Sequence, residues 1–392
     1  MKVSHRAQSI KPSPTLAVSA KAAELKAAGK NIISLAAGEP DFDTPDFVKT
    51  AAIKSIEDGY TKYTAVDGTP SLKKAIQNKF KQENDLDYNL DQILVSVGCK
   101  HSIYNLMQAV LDPGDEVIIP APYWVSYPDM VQLTGAQPVI LKTGIRDDFK
   151  ITPKQLKSAI NENTRMLIMN SPSNPTGSYY TDEELRALGE VLIDHPEILI
   201  ASDDIYEHIL WGANKFSNIV NACPKLYDQT VVLNGVSKAY SMTGWRIGYA
   251  AGPLDVIKAM KKIQSQSTSN PSSAAQFAAE AALTGDQDIV REWCNVFKTR
   301  HDFVCQEMNK IDGVQCRPSE GTFYSFPDLS EVIERLPSVS NDLELAEFLL
   351  EEAEVAIVPG SAFGASGCIR ISFATSMELL EESLSRISKA LA

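Results

Sequence analysis

The sequence has little of what marks a disulfide framework, a metal centre or a membrane protein. Its 392 residues include only 6 cysteines, with no CxxC pair, and 5 histidines, so we expect reduced thiols and predict no metal site. Apolar runs stay short of the roughly 18–20 residues that span a bilayer, and the first fifteen residues lack the apolar segment of a secretory signal. These absences predict a cytoplasmic location and no membrane partner.

A long basic run is also missing. The chain has 37 lysine and arginine residues against 50 aspartate and glutamate residues, giving a formal net charge of −13. This balance disfavours a nucleic-acid partner. The acidity alone identifies no substrate, because acidic surfaces are common and mainly promote solubility.

What is present is a regular alternation of short strands with helical patterns. The predicted strands are Ile93–Val97, Glu116–Ile119, Arg165–Met169, Ile198–Ser202, Val231–Leu233 and Ile247–Ala251. Such alternation predicts a mostly parallel α/β sheet. A chain of this length exceeds what one core usually serves. We therefore predict a second, smaller domain after the polar stretch Gln264–Ser273, with short strands in Thr322–Phe326, Val355–Val358 and Cys368–Phe373.

Polar residues gather directly after four of the predicted strands, where open parallel sheets bind ligands. They are the turn Gly98-Cys99-Lys100, Asn174 in an Asn-Pro turn, Asp203 with Tyr206, and Ser237-Lys238. Each alone could be an ordinary turn, a helix cap or a surface charge. Together they supply an amine, a carboxylate, a phenol and an anion site, which is the set that pyridoxal phosphate requires.

The segment 237–248, SKAYSMTGWRIG, resembles the lysine signature of the class I aminotransferases. The resemblance extends through AAGEPDFDTP, YTAVDG, PAPYWVSYP and SPSNPTG in the same order, and is nearest to the bacterial-type aspartate aminotransferases. It implies the fold type I of pyridoxal-phosphate-dependent transferases, with a mostly parallel, mixed seven-stranded sheet in a large domain and a smaller α+β domain. We place the large domain at residues 46–284 and the small one at residues 1–45 and 285–392.

By this resemblance, Lys238 carries pyridoxal phosphate as a Schiff base and later moves the substrate's proton. Asp203 would pair with the charged ring nitrogen of the cofactor, which strengthens the ring as an electron sink. Tyr206 and Asn174 would hydrogen-bond its phenolic oxygen. Trp124 would stack on the ring, and Trp124 and Asn174 would also border the substrate.

The family's phosphate site maps onto the turn that follows the first predicted strand. The resemblance places the phosphate at Gly98, Cys99 and Lys100, and the additional donors are Ser237, Arg246 and, from a second subunit, Tyr63. A homodimer with shared active sites is implied. Cys99 replaces the glycine or alanine of many relatives, and we expect the small thiol to be tolerated because backbone N–H groups bind the phosphate.

Arg370 differs from its neighbours in the predicted strand Cys368–Phe373. The period of two sends Ile369 and Ile371 to one face and Arg370 to the other. An exposed surface role is the ordinary interpretation, but in the family this arginine clamps the substrate α-carboxylate. Gly38 would let the substrate approach the backbone closely.

The substrate is less well defined by the sequence. Similar enzymes handle aspartate, glutamate and 2-oxo acids, yet the region in which many of them carry an arginine for the second carboxylate reads QSQSTSN at 264–270. Lys11 and Lys100 are candidate replacements. Thr15 with Lys100 also resembles relatives that aminate prephenate, so a prephenate or aromatic aminotransferase stays open. A lyase or a ligand-sensing protein on the same fold is the alternative from another class.

Overall fold

The structure is a computed structural model that describes residues 2–10, 12, 14–212 and 215–392. The strands are β1 (Ile33–Ser34), β2 (Ile93–Ser96), β3 (Glu116–Ala121), β4 (Gln137–Lys142), β5 (Thr164–Asn170), β6 (Leu199–Asp203), β7 (Thr230–Gly235), β8 (Gly248–Ala251), β9 (Tyr324–Ser325), β10 (Val355–Ala356), β11 (Val358–Pro359) and β12 (Ile369–Ser372). The α-helices are α1 (His5–Ser9), α2 (Pro14–Ala27), α3 (Asp46–Glu57), α4 (Pro70–Asn84), α5 (Cys99–Val110), α6 (Ser126–Thr134), α7 (Pro153–Ala159), α8 (Asp182–Ile193), α9 (Ile219–Ala222), α10 (Leu254–Ser265), α11 (Ser273–Thr284), α12 (Asp288–Met308), α13 (Ser330–Arg335), α14 (Asp342–Glu352) and α15 (Met377–Ala390). No helix among the described residues is both long enough and apolar enough to cross a membrane.

The largest sheet has seven strands in the order β2-β8-β7-β6-β5-β3-β4. Only β8 runs antiparallel to its neighbours, and the other pairs are parallel. This confirms the predicted mixed, mostly parallel sheet. The carboxyl ends of β5, β6 and β7 lie side by side because Asn170 is in register with Asp203, and Asp203 with Leu233.

Helices cover both faces of this sheet, as its alternating side chains require. Leu94 of β2 packs in a cluster with residues of α5 and α10, whereas Ile93 and Val95 pack in another with residues of α4 and α11. Both faces are apolar, so the strands read as nearly continuous hydrophobic runs. Their polar residues are thereby concentrated at the strand ends.

Helices α4 and α5 begin at residues that favour the start of a helix. The hydroxyl of Thr69 accepts a hydrogen bond from the N–H of Leu72 at the start of α4, and Pro70 occupies its first turn. Gly98 begins α5 with φ of 84°, a left-handed conformation that glycine adopts without strain. The first amides of α5 therefore open directly after β2.

Two predictions about strands need correction. The run Val355–Val358 is divided between β10, which pairs in parallel with β1, and β11, which pairs with β12 in a three-stranded sheet of order β11-β12-β9. The edge strand β4 was not predicted. Its residues are only partly buried, so its apolar pattern is weaker than that of the central strands.

The division into domains stays a proposal, with residues 46–284 as the large domain and 1–45 and 285–392 as the small one. Its support is that all seven strands of the large sheet lie between residues 93 and 251, whereas β1 pairs with β10. The final helix α15 buries Leu380, Leu384 and Ile387 against the same region as β12.

Candidate functional site

A cavity of about 490 Å³ opens at the carboxyl ends of β5, β6 and β7. One side, the sheet wall, is formed by residues that follow strands of the large sheet, namely Cys99, Lys100, Trp124, Tyr127, Asn170, Asn174, Asp203, Tyr206, Ser237, Lys238 and Arg246. The other side, the outer wall, is formed by Thr15, Leu16, Ser19, Ala36, Ala37, Gly38, Glu39, Tyr324 and Arg370.

Lys238 lies in the short segment after β7 and reaches across the cavity. Its Nζ donates a 2.6 Å hydrogen bond to the carbonyl oxygen of Gly38 on the outer wall. Burial, and after it the positive charges of Arg370 and Arg246, lower the pKa of the Lys238 amine to about 8. A larger fraction of this amine is therefore neutral and nucleophilic near neutral pH than for an ordinary lysine.

Asp203 ends β6 and is only 4% exposed. Its Oδ2 accepts a 2.5 Å hydrogen bond from the hydroxyl of Tyr127. Burial raises the pKa of this carboxyl to about 6, while hydrogen bonds from Tyr127 and Ile205 oppose the rise. No lysine or arginine of the described residues forms an ion pair with it, so the carboxylate is available to a cationic ligand.

The turn at the start of α5 forms a close-fitting anion cradle. A Cβ at Gly98 would lie 2.2 Å from Nη2 of Arg246, so the guanidinium occupies the space that any side chain would fill. A Cβ at Gly248 would lie 2.1 Å from the backbone nitrogen of Cys99. The two glycines thus allow an arginine and the N-terminal amides of α5 to face one point, which suits a phosphate group.

Tyr206 and Asn174 lie where the two walls meet. The hydroxyl of Tyr206 is 3.1 Å from the hydroxyl of Tyr324, and Oδ1 of Asn174 accepts a 3.1 Å hydrogen bond from Arg370. Burial raises the pKa of Tyr206 well above its ordinary value, so its hydroxyl remains a donor at neutral pH. At this junction, Tyr206 and Asn174 of the sheet wall are in direct contact with Tyr324 and Arg370 of the outer wall.

Arg370 is 3% exposed, yet it contacts no carboxylate of the described residues. Its guanidinium donates to the carbonyl oxygen of Ala36 at 2.8 Å and lies over the ring of Tyr324 at 4.3 Å, while its Nε has no partner within the described part of the chain. A buried charge without a counter-ion is costly. Arg370 is therefore suited to bind an anionic ligand in the cavity.

The structure brings most of the predicted site residues to this one cavity, although their roles remain proposals. Those that line it are Lys238, Asp203, Tyr206, Asn174, Trp124, Cys99, Lys100, Ser237, Arg246, Arg370, Gly38 and Thr15. Gly98 lies directly beneath Arg246. Tyr63 is not among the lining residues and is 91% exposed. Lys11 lies outside the described residues.

Several polar residues of the cavity received no role in the sequence analysis, and three of them contact the predicted site residues directly. They are Tyr127, Tyr324 and Asn170, whose Nδ2 donates to the carbonyl oxygen of Asp203 at 2.8 Å. Asn170 and Tyr127 stand inside the quoted segments or next to them, so position after a strand was an available signal. Tyr324 lies in a short strand far along the chain, and only the fold shows that it faces Tyr206.

Cys99 and Asp204 both depart from the family pattern, since Asp204 stands where glutamate is usual, and only Cys99 lines the cavity. The thiol of Cys99 points into the cavity, 3.8 Å from Oδ1 of Asp203. Asp204 is buried outside the cavity and accepts hydrogen bonds from Ser202 at 2.7 Å and Asn218 at 2.9 Å. Gln264, in the segment without arginine, is also structural, because its side chain donates to the carbonyl oxygens of Val66 and Val95.

Comparison with known proteins gives matches over the full length. Residues 30–387 match the family model described as aminotransferase class I and II. An aspartate/prephenate aminotransferase of Nitrosomonas europaea is 59% identical over 100% of both chains. The crystal structure of an aspartate aminotransferase from Rhizobium meliloti has a TM-score of 0.96 at 48% identity, covering 100% of this chain and 99% of that one. Thermus thermophilus aspartate aminotransferase with maleate has a TM-score of 0.93 at 41% identity, covering 100% of each.

Proposed function

Because the chain belongs to the class I and II aminotransferases, we propose that it transfers the amino group of aspartate or glutamate to a 2-oxo acid. In the main reaction, aspartate and 2-oxoglutarate give oxaloacetate and glutamate in two alternating half-reactions at one site. The observation that carries the proposal is that Lys238, Asp203 and Arg370 face the same cavity, and that Arg370 contacts no carboxylate within the described part of the chain. The names of the relatives from Nitrosomonas, Rhizobium and Thermus support aspartate as the donor.

The sheet wall fits pyridoxal phosphate. Its anion cradle at Gly98 and Arg246 would hold the phosphate together with Ser237, Cys99 and Lys100, and the unpaired carboxylate of Asp203 would hold the charged ring nitrogen. Tyr206 and Asn174 would donate to the phenolic oxygen, and Trp124 would cover the ring. When bound, this cofactor supplies an aldehyde that reacts with amines and a ring that accepts the electrons of a broken Cα–H bond.

Lys238 has two tasks in this proposal. Its amine would hold the cofactor through the cofactor's aldehyde, and as a free amine it would accept the proton from the substrate Cα. The lowered pKa suits both tasks, because only the neutral amine is a nucleophile or a base. Its hydrogen bond to the carbonyl oxygen of Gly38 orients Nζ toward the outer wall, where the substrate would lie.

Arg370 would bind the α-carboxylate of the substrate. The planar guanidinium offers two parallel N–H donors, and the hydrogen bond to Asn174 and the ring of Tyr324 fix its plane. Binding the carboxylate also supplies the counter-ion that this buried charge lacks. The substrate Cα would thereby be held near Lys238, beside Gly38, which presents no side chain to the cavity.

For the second carboxylate we propose Lys100 as the principal cation, with Lys11 as a further candidate and Thr15 as a neutral substrate-binding residue beside them. Lys100 lines the cavity and its Nζ lies 4.7 Å from the centre of the Trp124 ring. Thr15 lines the outer wall. The substitution Lys100→Met tests this role, because it should raise KM for aspartate much more than KM for alanine, which has no second carboxylate. Equal changes for both donors would exclude Lys100 as the distal cation.

Prephenate is a second candidate acceptor. The Nitrosomonas relative carries both aspartate and prephenate in its name, and the cavity here has Thr15 and Lys100 in place of a distal arginine. Steady-state assays with aspartate/2-oxoglutarate and with glutamate/prephenate separate the two reactions. Turnover of the second pair alone would reject aspartate as the main donor.

A single-turnover experiment tests the reaction class. The protein loaded with pyridoxal phosphate is mixed with aspartate without an acceptor, and oxaloacetate is counted against aminated cofactor. An aminotransferase gives one oxaloacetate for each cofactor aminated and then stops. Continued release of ammonia or carbon dioxide with unchanged cofactor would indicate a lyase, and absence of any product would favour a ligand-sensing protein.

We also propose a homodimer in which Tyr63 of a second copy completes the phosphate site. Its support is the exposure of Tyr63, which is 91%, together with an exposed apolar surface on and after α3 at Ile53, Ile56 and Tyr60. Tyr63→Phe should weaken cofactor binding without altering the unfolding temperature of the protein without cofactor. Unchanged binding would remove Tyr63 from the site.

A further inference from the structure

The carboxylate of Asp203 is contacted by side-chain donors from helices α5 and α6 and by a backbone N–H two residues further along the chain. The Tyr127 hydroxyl donates to Oδ2 at 2.5 Å, and the N–H of Ile205 donates to Oδ1 at 3.4 Å. The Cys99 thiol approaches the same Oδ1 at 3.8 Å, a weaker contact. Each carboxylate oxygen therefore has a neighbour that favours negative charge.

Tyr127, the strongest of these donors, is held in one position by the packing around its ring. Tyr127 lies in the first turn of α6, is 2% exposed, and its ring meets that of Trp124 edge to face at 5.3 Å. Burial and the nearby Asp203 raise the pKa of Tyr127 well above its ordinary value. Its hydroxyl therefore keeps its proton over the working pH range and acts as a fixed donor to Asp203.

The groups around Asp203 shift its pKa in opposite directions. Burial raises the pKa of this carboxyl, whereas Tyr127 from α6, Ile205, Cys99 from α5 and the charge of Lys238 after β7 lower it, and the net pKa is about 6. Tyr206 faces it from the turn that follows β6 and stays neutral. Without the Tyr127 hydrogen bond, burial would be opposed less strongly and the carboxyl would protonate closer to neutral pH.

We infer that Tyr127 is a positioning residue that keeps Asp203 ionised and aimed at the cofactor, with the Cys99 thiol as a weaker second donor. The inference rests on the proposed function, because it takes the ring nitrogen of pyridoxal phosphate as the partner of Asp203. A neutral Asp203 cannot form a charge pair with that nitrogen. Tyr127 therefore sets the lower pH limit for cofactor retention.

The test is cofactor retention as a function of pH in Tyr127→Phe, which loses the hydroxyl and keeps the ring. Holoprotein is dialysed between pH 5 and 8, and bound cofactor is read from its visible absorbance. A hydrogen bond to a charged group corresponds to roughly tenfold or more in an equilibrium constant, so half-retention should move up by about one pH unit. At pH 6 the dissociation constant should rise about fivefold, because the ionised fraction of Asp203 falls from about one half to about one tenth.

Two further variants calibrate the result. Tyr123→Phe, in which the ring packs against Gly364 and not at Asp203, is the matched control and should leave the retention profile unchanged. Cys99→Ala removes the longer contact and should move half-retention in the same direction by less than about half a unit. It also provides an independent measurement if Tyr127→Phe does not fold, and no shift in Cys99→Ala in that case would overturn the inference.

The outcomes separate this inference from the proposed function. If the unmodified protein binds no pyridoxal phosphate, the proposed function fails. If it binds the cofactor and Tyr127→Phe has the same pH profile, the inference about Tyr127 is wrong while the proposed function stands. Weaker binding by the same factor at every pH would indicate a packing role only and would also overturn the inference.

Discussion

The two walls of the cavity are built in different ways. The sheet wall is assembled from residues directly after neighbouring strands, and its Asp203 is already hydrogen-bonded by Tyr127. The outer wall joins residues that are far apart in sequence, as in the hydrogen bond from Arg370 to Ala36, and its central charge has no carboxylate among the described residues. In the proposed function the sheet wall would hold the cofactor at groups that are already hydrogen-bonded, whereas Arg370 of the outer wall would gain its counter-ion from the substrate.

The largest effect is expected on the sheet wall, from Lys238→Ala. This variant should lose the visible absorbance of the attached cofactor and at least roughly 10⁴-fold in kcat, because it removes both the attachment point and the base. Lys258→Ala, at an exposed position of α10, is the control and should behave as the unmodified protein. Near-normal turnover by Lys238→Ala would contradict the assignment.

On the outer wall, Arg370→Met separates function from stability. We expect kcat/KM for aspartate to fall by roughly 100-fold or more, because a charge-assisted bidentate contact is lost. The unfolding temperature without substrate should stay the same or rise, since the variant removes a buried charge that has no counter-ion. A large loss of stability would show that Arg370 holds the fold and not the substrate.

The pH dependence of cofactor attachment probes Lys238 in the unmodified protein. Since the pKa of this amine is lowered to about 8, its neutral fraction rises about tenfold between pH 7 and pH 9 and then levels off. The rate of absorbance gain after adding pyridoxal phosphate should follow the same curve. A rate that climbs steadily to pH 10 would mean that the amine has an ordinary lysine pKa.

The smallest effect is expected where the walls meet, from Tyr324→Phe. The hydroxyl that contacts Tyr206 at 3.1 Å is lost while the ring under Arg370 remains. One neutral hydrogen bond corresponds to about threefold to tenfold in kcat/KM. A loss as large as that of Arg370→Met would move Tyr324 into the substrate-binding machinery itself.

How much of the fold the sequence could predict depends on whether an element is identified by its own burial pattern or by pairing with distant segments. Strands such as β5 and β6 are buried on both faces, so their apolar runs are clear, and the polar residues after them are easy to find. The half-buried edge strand β4 and the division of Val355–Val358 into β10 and β11 depend on tertiary pairing that short patterns do not contain.

The candidate site shows the same limit. Alternation along β12 placed Arg370 opposite Ile369 and Ile371, but its burial beside Tyr324 and its missing counter-ion follow only from the packing of distant segments. The Tyr127 hydrogen bond to Asp203 likewise joins residues 76 positions apart. Local motifs identified the residues with predicted roles, but only the fold shows the neighbouring residues that set their charge and orientation.

The central claim is that Lys238 attaches pyridoxal phosphate, and chemical trapping tests it most directly. The holoprotein is reduced with borohydride, digested, and the modified lysine is located by peptide mass. The account predicts one modified residue for each chain, Lys238, with no label on Lys100, which lines the same cavity. Modification of Lys100 instead, or of no lysine in protein that holds the cofactor, would contradict it.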